Sequence, residues 1–233
     1  YEYPIAVNGW LDIDLPDGSV QRVRIRRAHL EEDAGKLTHA DGHSLADLNR
    51  AGVPLLEIVS EADMHTAEEA EAYIRKLRAI LQYLGVNSGD MSKGVLRIEP
   101  NISVRPVGSD ELRTRTEVKN LNSIRALARA TAYEIDRQIG VYESGGEVRQ
   151  ATLGWDEARQ ETVVQRVKES ADDYRYFPEP DLPIVEISAE WIEQARAELP
   201  ELPDAKRERF MRDLELSRYD ASVLTADRAV ADY

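Results

Sequence analysis

The stretch VPLLEIVSEADMHTAEEAEAYIRKLRAILQYLG, residues 53–85, carries both periodicities from which a mixed fold is built. Its first seven residues, Val53 to Val59, are a nearly continuous apolar run of strand length, the pattern of a buried strand. Thr66 and Glu69 then stand at the spacing of a capping box. Ala70, Tyr73, Ile74, Leu77, Ile80, Leu81 and Leu84 follow at helical intervals until Gly85 ends the run. Glu57 interrupts the apolar run. A lone carboxylate in a buried strand costs several kcal/mol unless it is paired, protonated or bound to a cation, so Glu57 is a candidate for function.

Upstream, the pattern predicts strands over Pro4–Val7, Trp10–Asp14 and Val20–Arg26, with Pro16-Asp17-Gly18 as a turn. Arg22, Arg24 and Arg26 alternate with Val23 and Ile25, which gathers three cations on one face, read as a solvated strand face. Downstream, a second helix is predicted from Asn122, turning Ile124, Leu127, Ala128, Thr131, Ile135 and Ile139 inward and stopping at Gly145-Gly146. Both helices are expected to cover a sheet. From Ser188 the pattern is helical, broken at Pro200 to Pro203, with Trp191, Ala195 and Leu199 in one stripe and Phe210 and Leu214 in another. The expected class is α+β, with one domain over residues 1–187, a boundary near Pro183 to Ser188, and the start of an all-helical domain over 188–233.

The chain has 233 residues, 42% apolar and 32% charged, enough to bury a sizeable core, and contains no run of the roughly 20 apolar residues a membrane helix needs. No membrane association is expected. Thirty basic against 44 acidic residues give a net charge of −14, so any nucleic-acid contact must come from a local patch. The absence of cysteine removes disulfides, thiolate nucleophiles and cysteine-ligated zinc, and fits a reducing, cytoplasmic location. The chain opens on Tyr1 and is expected to be a piece of a longer protein.

No GxxxxGK[ST] or convincing GxGxxG motif occurs, which excludes a P-loop from this sequence. His29, His39, His43 and His65 are not read as a metal set, because the one i,i+4 pair, His39 and His43, spans the turn signal Asp41-Gly42. Glu31, Glu32 and Asp33 are either a solvated acidic turn or hard oxygen donors of the kind magnesium accepts. Val95 to Arg105, if its pleat runs through Pro100, puts Leu96, Ile98, Ile102 and Val104 on one face. The other face then holds Arg97, Glu99, Asn101, Ser103 and Arg105, a lining suited to a polyphosphate with its metal, though an ordinary exposed face has the same composition. Arg113, Arg115 and Lys119, before Asn120 and Asn122, make this region locally basic. Asp172 to Pro178 packs three aromatics around an arginine, a composition that stacks on a base or plugs a loop.

HLEEDAGK (His29 to Lys36), NRAGVPLLEIVSE (Asn49 to Glu61), EVKNLNS (Glu117 to Ser123), DYRYFPEPDLP (Asp173 to Pro183) and PELPD (Pro200 to Asp204) occur in one order along nearly the whole chain. Together they resemble the signature segments of the GatB family, the B subunits of aspartyl/glutamyl-tRNA amidotransferases. The resemblance implies a cradle domain similar to glutamine synthetase and guanidino kinases, mainly antiparallel sheet with covering helices, followed by a helical domain. It implies a ligase that uses ATP and Mg2+ to phosphorylate the side-chain carboxylate of mischarged Glu-tRNA(Gln) or Asp-tRNA(Asn). Ammonia from glutamine, delivered by GatA in a complex with GatC, then completes the amide needed for protein biosynthesis.

Carried over by motif, Glu31, Glu32 and Glu57 would hold magnesium, and Glu32, Glu57 and Glu99 would be catalytic. Glu99 stands where the family often has the aspartate of CDAN, so it reaches one methylene further. Arg97, Asn101, Ser103, Lys119 and Asn120 are the candidates for nucleotide contacts, Arg97 and Lys119 through charge. Arg113 stands where the family commonly has glycine, and Ala62-Asp63 where Pro-Asp is usual. The family's GLEIHVQL strand, which also belongs to the magnesium site, does not occur in this sequence, so this piece alone is expected to have little or no kinase activity. Two other readings stay open: a ligase acting on a free amino acid, and a non-catalytic scaffold that docks the tRNA acceptor end and partner subunits.

Overall fold

The computed structural model describes residues 3–167 and 184–233. It is α+β, and its backbone contacts divide it into two compact units, residues 1–65 and 66–233. The expected boundary at 187/188 therefore lies inside the second unit. The Tyr83 hydroxyl donates to the Thr225 carbonyl at 2.8 Å and an Arg228 N–H donates to the Tyr83 carbonyl at 2.5 Å, which ties the last helices to the first helix.

In the first unit, β1 (Ala6–Asp14) pairs antiparallel with β2 (Val20–Glu32) through a turn in which Gly18 takes φ +84°, a value that glycine adopts without a Cβ clash. The two expected upstream strands are one, and β2 runs six residues past its predicted end at Arg26. β3 (Lys36–Ala40) and β4 (His43–Asp47) form an exposed hairpin around Asp41-Gly42, a two-residue turn with Gly42 at φ +76°. β5 (Pro54–Ser60) adds to the far side of β2, giving the order β1-β2-β5. The expectation of a buried strand at 53–59 is overturned, because among the described residues β5 is an edge strand and Leu56 is 41% exposed. Ile13 and Val23 are fully buried. Arg22, Arg24 and Arg26 of β2 face solvent, as expected, but each has an acidic partner: Asp12 for Arg22, Asp63 for Arg24 and Glu61 for Arg26.

The second unit begins with α1 (Ala67–Tyr83), whose Thr66 cap accepts from the Glu69 N–H at 3.1 Å and whose end is followed by Gly85 at φ +71°. The strand expected over Val95 to Arg105 contracts to β6 (Asn101–Ile102). Pro100 has no N–H to give to a ladder; its carbonyl accepts from Val118 at 3.0 Å instead. β7 (Thr116–Lys119) pairs with β6, and α2 (Ile124–Glu143), capped by Ser123, crosses over to β8 (Ala151–Asp156), which lies parallel to β7. β9 (Glu161–Val167) closes the order β6-β7-β8-β9 as an antiparallel partner of β8. α2 packs on β6 and β9, and α1 packs on α2. Val118, Leu127, Ala130 and Leu153 are the heart of this core, each at most 2% exposed.

Ile139, expected inward on α2, is 40% exposed, and the fully buried positions of that face include Glu134 and Gln138. The C-terminal helices are α3 (Ala189–Ala197), α4 (Pro203–Asp213), α5 (Arg218–Thr225) and α6 (Arg228–Asp232). Of their expected stripes, Phe210 is buried, whereas Trp191, Leu199 and Leu214 are exposed. No helix among the described residues is long and apolar enough to cross a membrane.

Candidate functional site

β2 and β5 are in regular register from Arg27 to Glu32, with His29 opposite Glu57 and Glu31 opposite Leu55. Residues facing one another across an antiparallel pair share a face, and so do positions two apart on one strand. His29, Glu31 and Glu57 therefore converge by construction. His29 Nε2 lies 2.9 Å from Glu31 Oε1 and 2.9 Å from Glu57 Oε2, and one ligand atom from each of the three residues lies within 4.8 Å of the others. A single ring N–H satisfies one of the two carboxylates. The bond runs to Glu31 at 2.9 Å, and Glu57 Oε2, although buried, accepts no hydrogen bond. A buried carboxylate oxygen left without a donor, facing a second carboxylate and an imidazole, fits a divalent cation by geometry and by donor chemistry.

The acidic triplet splits three ways. Glu31 joins the cluster. Glu32, opposite Pro54, falls on the other face of the pleat and is exposed, so the structure does not place it in the set expected from the sequence. Asp33 is buried and accepts from Arg50 Nε at 2.7 Å, while its backbone N–H and carbonyl bond Val53 and Gly52, which fastens the end of β2 to the loop before β5. Glu57 is half-buried, 42% of its side chain being exposed, so the premise of a carboxylate inside a buried strand is corrected even though its Oε2 atom is buried.

His29, 3% exposed, is the member of the cluster not expected from the sequence. Its signal is its position two residues before Glu31 on a strand, which puts both on one face.

The remaining candidates belong to the second unit. Lys119 Nζ sits 3.1 Å from Glu99 and 3.7 Å from Glu117, so three charges of alternating sign share the outer face of the β6–β7 ladder. Glu117 also accepts from Thr152 Oγ1 at 3.2 Å and stands opposite Asn101. It too was not singled out as a site residue. Asn101 is exposed and Ser103 is half-buried. Arg97 is exposed in the irregular segment before Pro100. Asn120 takes φ +63°, a left-handed backbone that asparagine tolerates better than most residues, and turns the chain from β7 into α2. Arg113 lies 4.5 Å over the Tyr142 ring. The aromatic segment Asp172 to Pro178 lies outside the described residues.

Residues 1–193 match the family described as the GatB/GatE catalytic domain. The B subunit of the aspartyl/glutamyl-tRNA(Asn/Gln) amidotransferase of Streptococcus mutans serotype c is 54% identical over all of this chain, and that of Streptococcus pneumoniae strain 70585 is 53% identical. The chain spans 49% of the length of each of these relatives. With a family match over most of its residues and relatives of this similarity along its whole length, the chain belongs to the GatB/GatE catalytic-domain family.

Proposed function

We propose that the protein containing this chain amidates the side-chain carboxylate of mischarged Glu-tRNA(Gln) or Asp-tRNA(Asn), after activation with ATP, to give Gln-tRNA(Gln) or Asn-tRNA(Asn). The reading draws on the amidotransferase activity for which its relatives are named and on the fit of one cluster to the chemistry. A free carboxylate is a poor acyl donor. Transfer of the γ-phosphoryl group to its oxygen, with release of ADP, creates a leaving group; attack by ammonia then forms the C–N bond and expels phosphate. Ammonia comes from glutamine, delivered by a GatA subunit held in a cytoplasmic complex with GatC. The cradle architecture, similar to glutamine synthetase and guanidino kinases, is part of the same proposal.

The observation that carries the reading is the convergence of His29, Glu31 and Glu57, with one buried carboxylate oxygen unsatisfied. These residues would hold a divalent cation, Mg2+ in the working enzyme, whose chemistry when bound is neutralisation of phosphate charge. Glu99 lies in the second unit beside Lys119, and Lys119, Arg97, Asn101, Ser103 and Asn120 are assigned to the nucleotide. Lys119, paired with two carboxylates, has to exchange at least one of them for a phosphate oxygen.

The test is ATP hydrolysis dependent on mischarged Glu-tRNA(Gln), measured on the full-length subunit assembled with GatA and GatC. Glu57→Gln is expected to lower it by at least about tenfold, equivalent to 1.4 kcal/mol of barrier. Unchanged phosphate release with intact tRNA binding would instead mark a docking scaffold.

A further inference from the structure

Glu134 lies in the middle of α2 with none of its surface exposed, yet four residues donate to it. Arg137 donates from Nε and Nη2 at 2.7 Å each, Thr116 Oγ1 at 2.7 Å, Gln138 Nε2 at 2.8 Å and Thr162 Oγ1 at 3.1 Å. Gln138 Nε2 also lies 2.9 Å from Thr116 Oγ1 and 3.0 Å from the Ile102 carbonyl. One carboxylate and its glutamine neighbour thereby grip β6, β7 and β9 from beneath.

The consequence falls on β7, which is four residues long. Thr116 and Val118 are buried toward α2, and Glu117 and Lys119 therefore stand on the outer face, where Lys119 meets Glu99. A strand this short has little ladder to fix its register, and a slip of one residue would exchange the two faces. Apolar packing at Val118 is non-directional. The Thr116 hydroxyl, placed between Glu134 and Gln138, supplies direction.

We infer that Glu134 is a positioning residue: by holding Thr116 it sets the face and height of β7, and so the placement of Lys119 toward the nucleotide. Burial alone pushes the Glu134 carboxyl up, but the bonds from Arg137, Gln138 and Thr116 outweigh it and hold the group below the usual carboxylate range, so it acts as a carboxylate. The inference rests on the proposed role of Lys119 in phosphoryl transfer.

Two isosteric substitutions separate positioning from plain stability: each removes one hydroxyl donor from the same carboxylate, and Thr116→Val also removes an acceptor of Gln138 Nε2, which keeps the Ile102 carbonyl. Thr116→Val acts on the strand that carries Glu117 and Lys119; Thr162→Val acts on β9, which carries no assigned site residue. In the full-length assembly, at a temperature where both variants are folded, Thr116→Val is expected to lower kcat/KM for ATP at least about fivefold and Thr162→Val less than about twofold. Thr116→Ser, which keeps the hydroxyl, is expected to restore the wild-type value. Amide exchange at residues 117–119, which needs no turnover, is expected to rise in Thr116→Val alone. Equal kinetic losses in the two valine variants, or no loss in either, overturn the inference. If wild-type protein shows no tRNA-dependent ATP use but the exchange difference persists, the functional reading fails and the structural coupling stands.

Discussion

Glu57 on β5 and Glu134 on α2 are both carboxylates on ordered elements, and their surroundings treat them in opposite ways. Glu134 is wholly buried and takes donors from four side chains, one of them an arginine. Glu57 is half exposed, yet its one buried oxygen accepts no hydrogen bond and faces an imidazole with a second carboxylate beside it. Burial therefore does not mark the site. What separates the two is satisfaction: the completed group behaves as part of the architecture, and the incomplete one is the oxygen that the proposed function gives to a cation.

The largest effect is expected where the satisfied carboxylate is removed. Glu134→Ala strips the partner from Arg137 and leaves Thr116 and Gln138 facing a hole. Breaking a buried pair in this way costs about 3 kcal/mol, at the low end of the usual range because Arg137 is 34% exposed and can rehydrate. Urea unfolding of the full-length protein measures it, and a loss under about 1 kcal/mol would show that the network is not structural.

The same group fixes a sign in acid. Its carboxyl is held below the ordinary value of 4.5 in the folded state, so its stabilisation is fully present above that pH and is lost as pH falls through the lower folded value. The stability gap between wild type and Glu134→Gln should therefore narrow below pH 4.5. A gap independent of pH would contradict an ionised Glu134.

At the incomplete site the expectation reverses. Without added divalent cation, Glu57→Gln is expected to change unfolding stability by less than about 0.5 kcal/mol or to raise it, because it removes a charge from beside Glu31. A loss comparable to that of Glu134→Ala would make Glu57 a structural residue and erase the contrast.

The helices were legible because their signals are local. Thr66 with Glu69, and Gly85 after the last turn, mark α1 without reference to any other part of the chain. The Val95 to Arg105 segment failed as a strand at Pro100, where a missing N–H overrode a good alternation; the burial alternation from Val95 to Ile102 survived without the ladder. β5 was mistaken for a buried strand because an apolar run does not say whether its strand is central or at an edge, and that depends on β2 pairing with it. Glu31 and Glu57 were named from motif and chemistry, and the structure brings them together. Glu32 lies outside the cluster because adjacency in sequence is opposition in a pleat, and His29 is not legible as a member because its partners are carboxylates on its own strand and on the one beside it. The Glu134 network was half hidden for a related reason: Arg137 and Gln138 stand three and four residues on along α2, but the other donors, Thr116 on β7 and Thr162 on β9, reach it only once the β6-β7-β8-β9 sheet is formed.

The most direct test of the metal-site assignment is Mn2+ binding to the full-length protein, followed by water-proton relaxation, with the four neighbouring residues substituted one at a time. Tight binding should fall at least about tenfold in His29→Gln, Glu31→Gln and Glu57→Gln and stay within about twofold of wild type in Glu32→Gln. Loss in Glu32→Gln with retention in His29→Gln would contradict the assignment made from the β2–β5 register.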